Sequence, residues 1–245
     1  MSLEYRDEVE TQAEAESSVN ALRIPLPYYT IILLISMAAV FVVQLLTDIN
    51  NSALTAGLYK PEVIYGHEYW RLLTGAALHG SVLHIFMNGY ALYNFGRLME
   101  LLANRAHLAI VFLLSAIGGG ILSTVLSPEG LSVGASGGIV GLIGYLVIYA
   151  FRRRQFISAE FRKSLLINIG FILVFGLVLY KVIDNYGHIG GLLTGIIYGV
   201  FQIPSDTYEN PQNAGGATKA LGVAALLVYI LTCSFAIYRI LSVVS

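Results

Sequence analysis

The chain has 245 residues, of which 56% are hydrophobic and only 12% are charged. Soluble domains carry about 25% charged residues, so this composition, with a mean hydropathy of +0.72, indicates a membrane protein in contact with a lipid bilayer. The net charge is −1 and the sequence has no basic stripe, so we expect no nucleic-acid partner. The single cysteine, Cys233, excludes an intramolecular disulfide.

The first 22 residues are polar and acidic. They carry six carboxylates against Arg6 alone, which is the reverse of the basic start of a secretory signal peptide. We therefore expect no cleaved signal sequence and interpret residues 1–28 as an acidic N-terminal tail. The carboxylates belong to Glu4, Asp7, Glu8, Glu10, Glu14 and Glu16.

Seven apolar stretches are candidate membrane spans, because a bilayer core of about 30 Å needs about 20 helical residues. The seventh holds few polar groups, and we expect it to be an appended helix that faces lipid. The sequence thus predicts an all-α polytopic membrane protein with a six-span core at residues 29–203, a loop at 204–219 and a seventh helix within 220–245. The predicted spans are residues 29–46, 79–102, 107–126, 134–151, 164–182, 188–203 and 220–241.

The largest cluster of basic residues follows the fourth span and sets the predicted orientation. Cytoplasmic loops carry an excess of Lys and Arg, so this loop, the N-terminal tail and the loop of residues 204–219 should be cytoplasmic. Residues 127–133 contain no Lys or Arg, which fits the outer face. We expect a multi-pass protein of the cell membrane. The cluster consists of Arg152, Arg153, Arg154, Arg162 and Lys163.

Two glycine-rich helix starts each place a reactive side chain near the outer end of a span. The stretch Gly134-Ala135-Ser136-Gly137-Gly138 opens the fourth span, and Gly187-His188-Ile189-Gly190-Gly191 opens the sixth. A serine that attacks and a histidine that takes its proton are the minimum set for nucleophilic catalysis. A serine between glycines is more often a packing residue, whereas an ionisable side chain inside a span favours a functional role.

The glycine spacing of these two spans bears on whether the serine and the histidine meet. Gly137 and Gly141 are four residues apart, as are Gly191, Gly195 and Gly199. Small residues at this spacing let helix backbones approach closely. A hydrogen bond of about 2.6–3.2 Å between Ser136 and a histidine on another helix needs such an approach. Tight packing and catalysis therefore both require small residues at these positions.

The second span is unusually polar at its outer end. His84 and Asn88 are four residues apart and share a helix face, with His79 at the mouth. Together with the backbone N–H of Ser136 they could donate to an oxyanion. Zinc bound by His79, His84 and His188 is the rival interpretation. It is disfavoured because no carboxylate accompanies them in a span and no His-Glu-x-x-His helix is present, so we expect no metal or cofactor.

Other polar residues near these spans have open roles. Asp184 and Asn185 could orient His188, or could be a helix cap or solvated loop residues, and we favour a two-residue catalytic pair. The aromatic residues of the connection 48–78 fit either a belt at the membrane interface or a loop beside the site. His67 and His107 fall in or beside loops and are interpreted as incidental.

Together these motifs resemble the rhomboid family of intramembrane serine proteases, over residues 29–203. The matching motifs are Gly134-Ala135-Ser136-Gly137, then Gly187-His188-Ile189-Gly190-Gly191 with Gly195, His79-Gly80-Ser81 with His84 and Asn88, Trp70-Arg71, and Gly96-Arg97 with Glu100. The resemblance implies a rhomboid-like six-helix core plus one C-terminal transmembrane helix.

The resemblance also implies roles for individual residues. Ser136 would be the nucleophile, His188 the general base, and His84 and Asn88 the oxyanion donors, in a water-filled cavity open to the outer face. The substrate would itself be a transmembrane helix, so single-span membrane proteins are the expected partners.

One position departs from the family pattern. Val140 stands where the family commonly has an aromatic residue that packs on the catalytic histidine, so Tyr186 or Tyr145 is expected to hold the ring of His188 instead. Two other functions stay open: a catalytically inactive relative that binds transmembrane helices, and a transporter. The transporter is disfavoured because the spans lack the buried carboxylates of a proton or cation pathway.

Overall fold

The computed structural model describes residues 26–180, 182–206 and 209–244. Most of the acidic tail, and Lys181, lie outside these ranges. Within them the chain forms ten helices and one two-stranded antiparallel sheet. The helices are α1 (Tyr28–Leu46), α2 (Ile49–Ala56), α3 (Lys60–Ile64), α4 (Arg71–Thr74), α5 (Val82–Leu102), α6 (Arg105–Leu126), α7 (Ser136–Arg152), α8 (Ala159–Val178), α9 (Asn185–Gln202) and α10 (Gly216–Val244), and the strands are β1 (Leu58–Tyr59) and β2 (Leu131–Ser132).

Seven long helices correspond to the seven predicted spans, and capping residues explain where their bounds differ. Ser158 accepts a hydrogen bond from Phe161 N, so α8 begins at Ala159, before the predicted residue 164. Ser81 accepts from His84 N, so α5 begins at Val82 and leaves His79 in the loop. Side-chain caps satisfy backbone N–H groups that a helix start leaves without partners, and hydropathy alone does not register them.

Polarity divides the long helices into two groups. By length and composition, α1, α6, α8 and α10 can each cross a membrane, which fits a multi-pass membrane protein. The other three carry the predicted site. The shorter α7 starts at Ser136, α5 contains His84 and Asn88, and α9 contains His188 and five glycines. The site therefore lies on the helices that a hydropathy scan detects least well.

Helices α6, α7 and α9 form the centre of the bundle and pack most closely on one another. They pack tightly because glycines on α6, α7 and α9 bring backbone against backbone. Helices α1, α5 and α10 surround α6. Helix α8 is the most peripheral of the long helices, with only Leu165 and Gly176 buried.

The seventh span is a helix added to the six-helix core, as predicted, and one of its faces is exposed at Leu221, Leu227 and Leu231, while the opposite face is buried against protein. Helix α10 packs on α6 and α1. Hydropathy could not reveal this, because the faces of a membrane helix that meet protein and lipid are both apolar. Its buried residues recur at helical spacing: Ala225, Leu226, Tyr229, Cys233, Ala236 and Ile240.

The connection between α1 and α5, here the 47–81 segment, is folded around one buried arginine. Arg71 Nη1 donates to Leu54 O (3.0 Å) and Gly57 O (2.9 Å), and its Nε bonds to Glu68 (2.6 Å). These bonds satisfy carbonyls that the loop would otherwise bury without partners. Strand β1 then pairs with β2, which joins the segment to the residues just before Ser136.

Candidate active site

Ser136 and His188 meet between α7 and α9. Ser136 is the first residue of α7 and His188 lies in the first turn of α9. The Ser136 Oγ lies 2.8 Å from His188 Nε2, within hydrogen-bond reach of a nucleophile and its base. His188 is 8% exposed, and its Nδ1 is buried without a hydrogen-bond partner in the part of the chain described. Among the described residues, the contact thus joins Ser136 and His188 with no third side chain on His188 Nδ1.

Glycines bring the two helices close enough for this contact. A Cβ added at Gly191 would lie 2.7 Å from the carbonyl carbon of Gly137, and one added at Gly195 would lie 2.6 Å from that of Gly141. Since real carbon atoms pack at about 3.5–4.0 Å, neither position has room for a side chain. Gly137 and Gly191 thus belong to the site through their backbones.

The turn before Ser136 depends on Gly134. Its φ is +127°, a conformation that side chains rarely adopt. A Cβ there would also lie 2.8 Å from the ring of His84 and 3.8 Å from Ser136 Oγ. The Gly134 N–H donates to Gly75 O at 2.9 Å. The turn is thus fixed by the 47–81 segment on one side and by His84 on the other.

His84 presents one ring nitrogen toward this turn. The Gly80 N–H donates to His84 Nδ1 at 3.4 Å, so a neutral ring carries its proton on Nε2, the atom that lies against Gly134. Asn88 is buried on the same face of α5. Its Nδ2 donates to His84 O at 3.0 Å, while its Oδ1 has no partner among the described residues. One of the two Asn88 side-chain N–H groups is therefore already hydrogen-bonded within α5.

His79 packs against the ring of His84. The His79 ring meets the His84 ring edge to face, with centroids 5.0 Å apart, and is fully buried. Its backbone is held by Gln44 of α1, whose Oε1 accepts from His79 N (3.0 Å) and whose Nε2 donates to His79 O (3.1 Å). The sequence analysis missed Gln44. The available signal was an amide inside an apolar span, which is costly unless it is hydrogen-bonded.

A family model described as the Rhomboid domain matches residues 66–205, which is more than half of the chain. The chain belongs to the rhomboid family. This confirms the resemblance and, with the helical architecture, the predicted rhomboid-like fold. The match covers α4 to α9 and ends before α10.

Curated rhomboid relatives include proteins with and without a protease name. RHOMBOID-like protein 6, mitochondrial, of Arabidopsis thaliana is 32% identical over 62% of this chain and 50% of its own length. Rhomboid protease GluP of Bacillus subtilis is 35% identical over 60% of this chain and 29% of its own. Inactive rhomboid protein 1 of Bos taurus is 30% identical over 59% and 17%. The chain spans half or less of the length of these relatives.

No tyrosine ring replaces the aromatic residue that rhomboids commonly have at the Val140 position. The expectation for Tyr145 is wrong, because its ring stacks on His107. Tyr186 is 42% exposed, and within the described ranges no ring contact to His188 is found. His107 takes no part in the contact between Ser136 and His188. It is buried in α6, where its Nδ1 lies 2.8 Å from Tyr198 Oη.

Asp184 is the N-cap of α9 and does not bond to His188 Nδ1. Its carboxylate accepts from Gly187 N (2.9 Å) and Ser123 Oγ (2.5 Å). Burial works to raise the pKa of Asp184, but hydrogen bonds from Ser123, Ser132 and Gly187 and the charge of Lys60 outweigh it and lower the pKa. Burial lowers the pKa of Lys60, and Asp184 opposes this shift. The carboxylate thus joins α6, β2 and α9 beside the pair.

A small cavity of about 40 Å³ lies beside Ser136 and His188 and opens to solvent. This location favours the interpretation of the 47–81 segment as a loop beside the site. Among the described residues, no group of three His, Cys, Asp or Glu side chains is placed to hold a metal ion. The cavity walls include Leu58, Leu72, Gly75 and Ala76 of the 47–81 segment, and Gly119 and Gly120 of α6.

Proposed function

We propose that this rhomboid is an intramembrane serine endopeptidase that cleaves single-span membrane proteins within their transmembrane helices. The 2.8 Å contact between Ser136 Oγ and His188 Nε2 carries the proposal. Family membership supports it, because one relative is named a protease. The proposed reaction uses only groups of the chain and water.

In the proposed acylation, Ser136 Oγ attacks the carbonyl carbon of the scissile bond while His188 Nε2 takes the hydroxyl proton. The carbonyl electron pair moves to oxygen and forms a tetrahedral oxyanion. When the intermediate collapses, the C–N bond breaks and His188 gives the proton to the leaving nitrogen. Water then attacks the Ser136 ester, His188 takes the water proton, and the same proton returns to Ser136 Oγ as the acid product leaves.

The oxyanion needs hydrogen-bond donors already in place, because such donors stabilise charge that develops in the transition state. The proposed donors are the Ser136 N–H, the Nε2–H of His84 and the second N–H of Asn88. Asn88 would contribute least, because its other N–H is bonded to His84 O. His79, Gly134, Gly137 and Gly191 are proposed to support the site through packing and backbone geometry.

The proposal extends to the arrangement in the membrane. The protein is a multi-pass membrane protein, and the basic loop after α7 would be cytoplasmic together with the N-terminal tail and residues 204–219. The active site would then open to the outer face of the cell membrane. Labelling of single cysteines introduced at Arg154 and at Glu129 of a Cys233→Ala protein, with a reagent that does not cross membranes, tests the orientation. The proposal requires labelling from opposite sides.

The second candidate is an inactive rhomboid that binds transmembrane helices. The Bos taurus relative is named an inactive rhomboid protein. In this chain, one Asn88 N–H already donates to His84 O of the same helix. This candidate differs from the first in one chemical respect. It predicts no Ser136 nucleophile that reacts with a fluorophosphonate.

The deciding experiment is cleavage of a single-span substrate in liposomes by wild type, Ser136→Ala and Ser234→Ala. Ser234 is an exposed serine on α10 whose Oγ bonds to Ile230 O of the same helix (3.0 Å), so its substitution controls for the loss of a hydroxyl. We expect cleavage by wild type and Ser234→Ala but none by Ser136→Ala. Equal cleavage by Ser136→Ala would exclude it as the nucleophile.

If wild type leaves the chosen substrate intact, fluorophosphonate labelling decides between the two candidates. Labelling of wild type but not of Ser136→Ala supports the protease and means that the substrate was unsuitable. The absence of labelling in both favours the helix-binding protein.

A further inference from the structure

The family match ends at residue 205, so membership of the rhomboid family assigns no role to α10. Yet α10 contacts the 47–81 segment at Trp70. The Arg239 guanidinium carbon lies 5.2 Å from the centre of the Trp70 ring, and the Phe235 ring meets it edge to face at 5.3 Å. Arg71 lies 4.6 Å from the same ring centre. Trp70 is thus held by two cations and an aromatic ring.

The Arg239 guanidinium contacts the ring of Trp70. A guanidinium within about 6 Å of an indole centre is attracted by the ring. Arg239 Nε is buried and has no hydrogen-bond partner in the described part of the chain. A buried donor without a partner is costly, so the position of Arg239 is not explained by hydrogen bonding at that atom. The tryptophan ring is the interaction that accounts for it.

A short series of contacts leads from Trp70 to the nucleophile. Trp70 immediately precedes α4, and the Trp70 carbonyl accepts from the N–H of Leu73 and Thr74. The next residue, Gly75, accepts from Gly134 N at 2.9 Å, and Gly134 begins the turn into Ser136. A displacement of Trp70 would therefore move the carbonyl that fixes this turn.

A second contact joins α10 to the same stretch. Tyr229 is buried, and its hydroxyl donates to Ala76 O at 3.4 Å. Ala76 and Gly75 both wall the cavity beside Ser136. Helix α10 therefore touches the 47–81 segment on both sides of Gly75, at Trp70 and at Ala76.

We propose that α10 is a positioning element for the active site, in which Arg239 holds Trp70 so that Gly75 keeps the Gly134 turn and Ser136 in place. Arg239 is a positioning residue and touches no reacting atom. The inference rests on the proposed function for its catalytic readout. It goes beyond that function because it assigns a task to a helix outside the matched domain.

Trp70 is the only tryptophan in the chain, which gives the contact its own optical signal. The test compares wild type with Arg239→Ala, Arg239→Lys and the control Arg105→Ala. Arg105 also lies over an aromatic ring, 6.0 Å from the centre of Tyr29, but it begins α6, whose other end approaches the cavity. The variants are assayed by tryptophan emission with acrylamide quenching, by the rate of fluorophosphonate labelling, and by kcat and KM for a single-span substrate.

We expect Arg239→Ala to expose Trp70 to acrylamide and to slow labelling and lower kcat about tenfold, because small displacements of reacting groups reduce rates steeply. KM should change little, since Arg239 does not line the cavity beside Ser136. Arg239→Lys keeps a cation over the ring and should recover part of the rate. Arg105→Ala should leave emission and rate as in wild type.

The quenching and labelling measurements test the two parts of the proposal separately. Wild-type quenching in Arg239→Ala would refute the contact. Altered quenching with an unchanged labelling rate would refute the positioning role. If wild type itself neither cleaves nor labels, the proposed function fails, and quenching alone still tests the contact. If Arg239→Ala does not fold, Trp70→Phe replaces it, and a wild-type labelling rate in that variant would overturn the inference.

Discussion

Gly191→Ala places a methyl group between the two helices that carry Ser136 and His188. The new Cβ would lie 2.7 Å from the carbonyl carbon and 3.0 Å from the Cα of Gly137. Because carbon atoms pack at about 3.5–4.0 Å, α9 has to retreat from α7 by about 1 Å. The methyl group meets main-chain atoms of Gly137, so no side chain can rotate away to relieve the clash.

The retreat acts directly on the catalytic contact. Gly191 lies one turn after His188, and Gly137 is the neighbour of Ser136, so the 2.8 Å bond between Ser136 Oγ and His188 Nε2 should lengthen. An increase of about 1 Å takes it beyond hydrogen-bond reach. A misplacement of about 1 Å can cost 10²-fold in rate, whereas overpacking costs about 1–3 kcal/mol in stability. The two effects are similar in free energy, since tenfold in rate is about 1.4 kcal/mol, but a protein stable by about 5–15 kcal/mol stays folded after such a loss. The labelling rate should therefore fall about 100-fold while the protein remains folded.

The assay is single-turnover fluorophosphonate labelling of purified protein, with thermal melting measured on the same samples. Gly170→Ala on α8 is the matched control, because a Cβ there meets nothing within 4 Å. We expect labelling to slow about 100-fold in Gly191→Ala and to stay at the wild-type rate in Gly170→Ala. A folded Gly191→Ala protein that labels at the wild-type rate would refute the argument that backbone contact sets the distance between Ser136 and His188.

Two further predictions concern the base and the cap of its helix. His188→Ala should abolish substrate cleavage while the melting temperature changes little, and Asn88→Ala should slow cleavage less severely because other oxyanion donors remain; the reverse order of cleavage rates would contradict these roles. The lowered pKa of Asp184 means that its contribution to stability is complete above the ordinary carboxyl pKa of about 3.9 and is lost as the pH falls through the lower folded-state value. Melting curves of wild type should therefore drop in acid more steeply than those of Asp184→Asn, and parallel curves would show that the carboxylate charge is unimportant.

The sequence was sufficient to predict the seven long helices and the proximity of Ser136 to His188. Both reactive residues stand out because they interrupt glycine-rich apolar helices, where polar groups are few. The glycine spacing also predicted close helix approach, and a Cβ at Gly191 or Gly195 would meet the backbone of the facing helix. Each of these signals lies within a short stretch of sequence and can be recognised without knowing the partner helix.

Features that depend on distant partners were not predictable in this way. Gln44 holds the backbone of His79, and Ser123 holds Asp184, across gaps of 35 and 61 residues in sequence. The role of α10 was missed because an apolar face looks the same whether it meets lipid or protein. Arg239 was the one charged residue in the predicted seventh span, and its cost in an apolar environment was the available signal.

The backbone contact between α7 and α9 also determines which parts of the chain can vary freely. Main-chain atoms are the same for every residue type, so the distance across this contact does not depend on which side chains cover the outer surface of α9. Leu193, Ile197 and Phe201 are exposed there, and exchange for other apolar residues leaves the contact unchanged. In a library of random substitutions, the lipid-facing surface of α9 should therefore tolerate most apolar changes, whereas the glycines at the contact with α7 should tolerate very few.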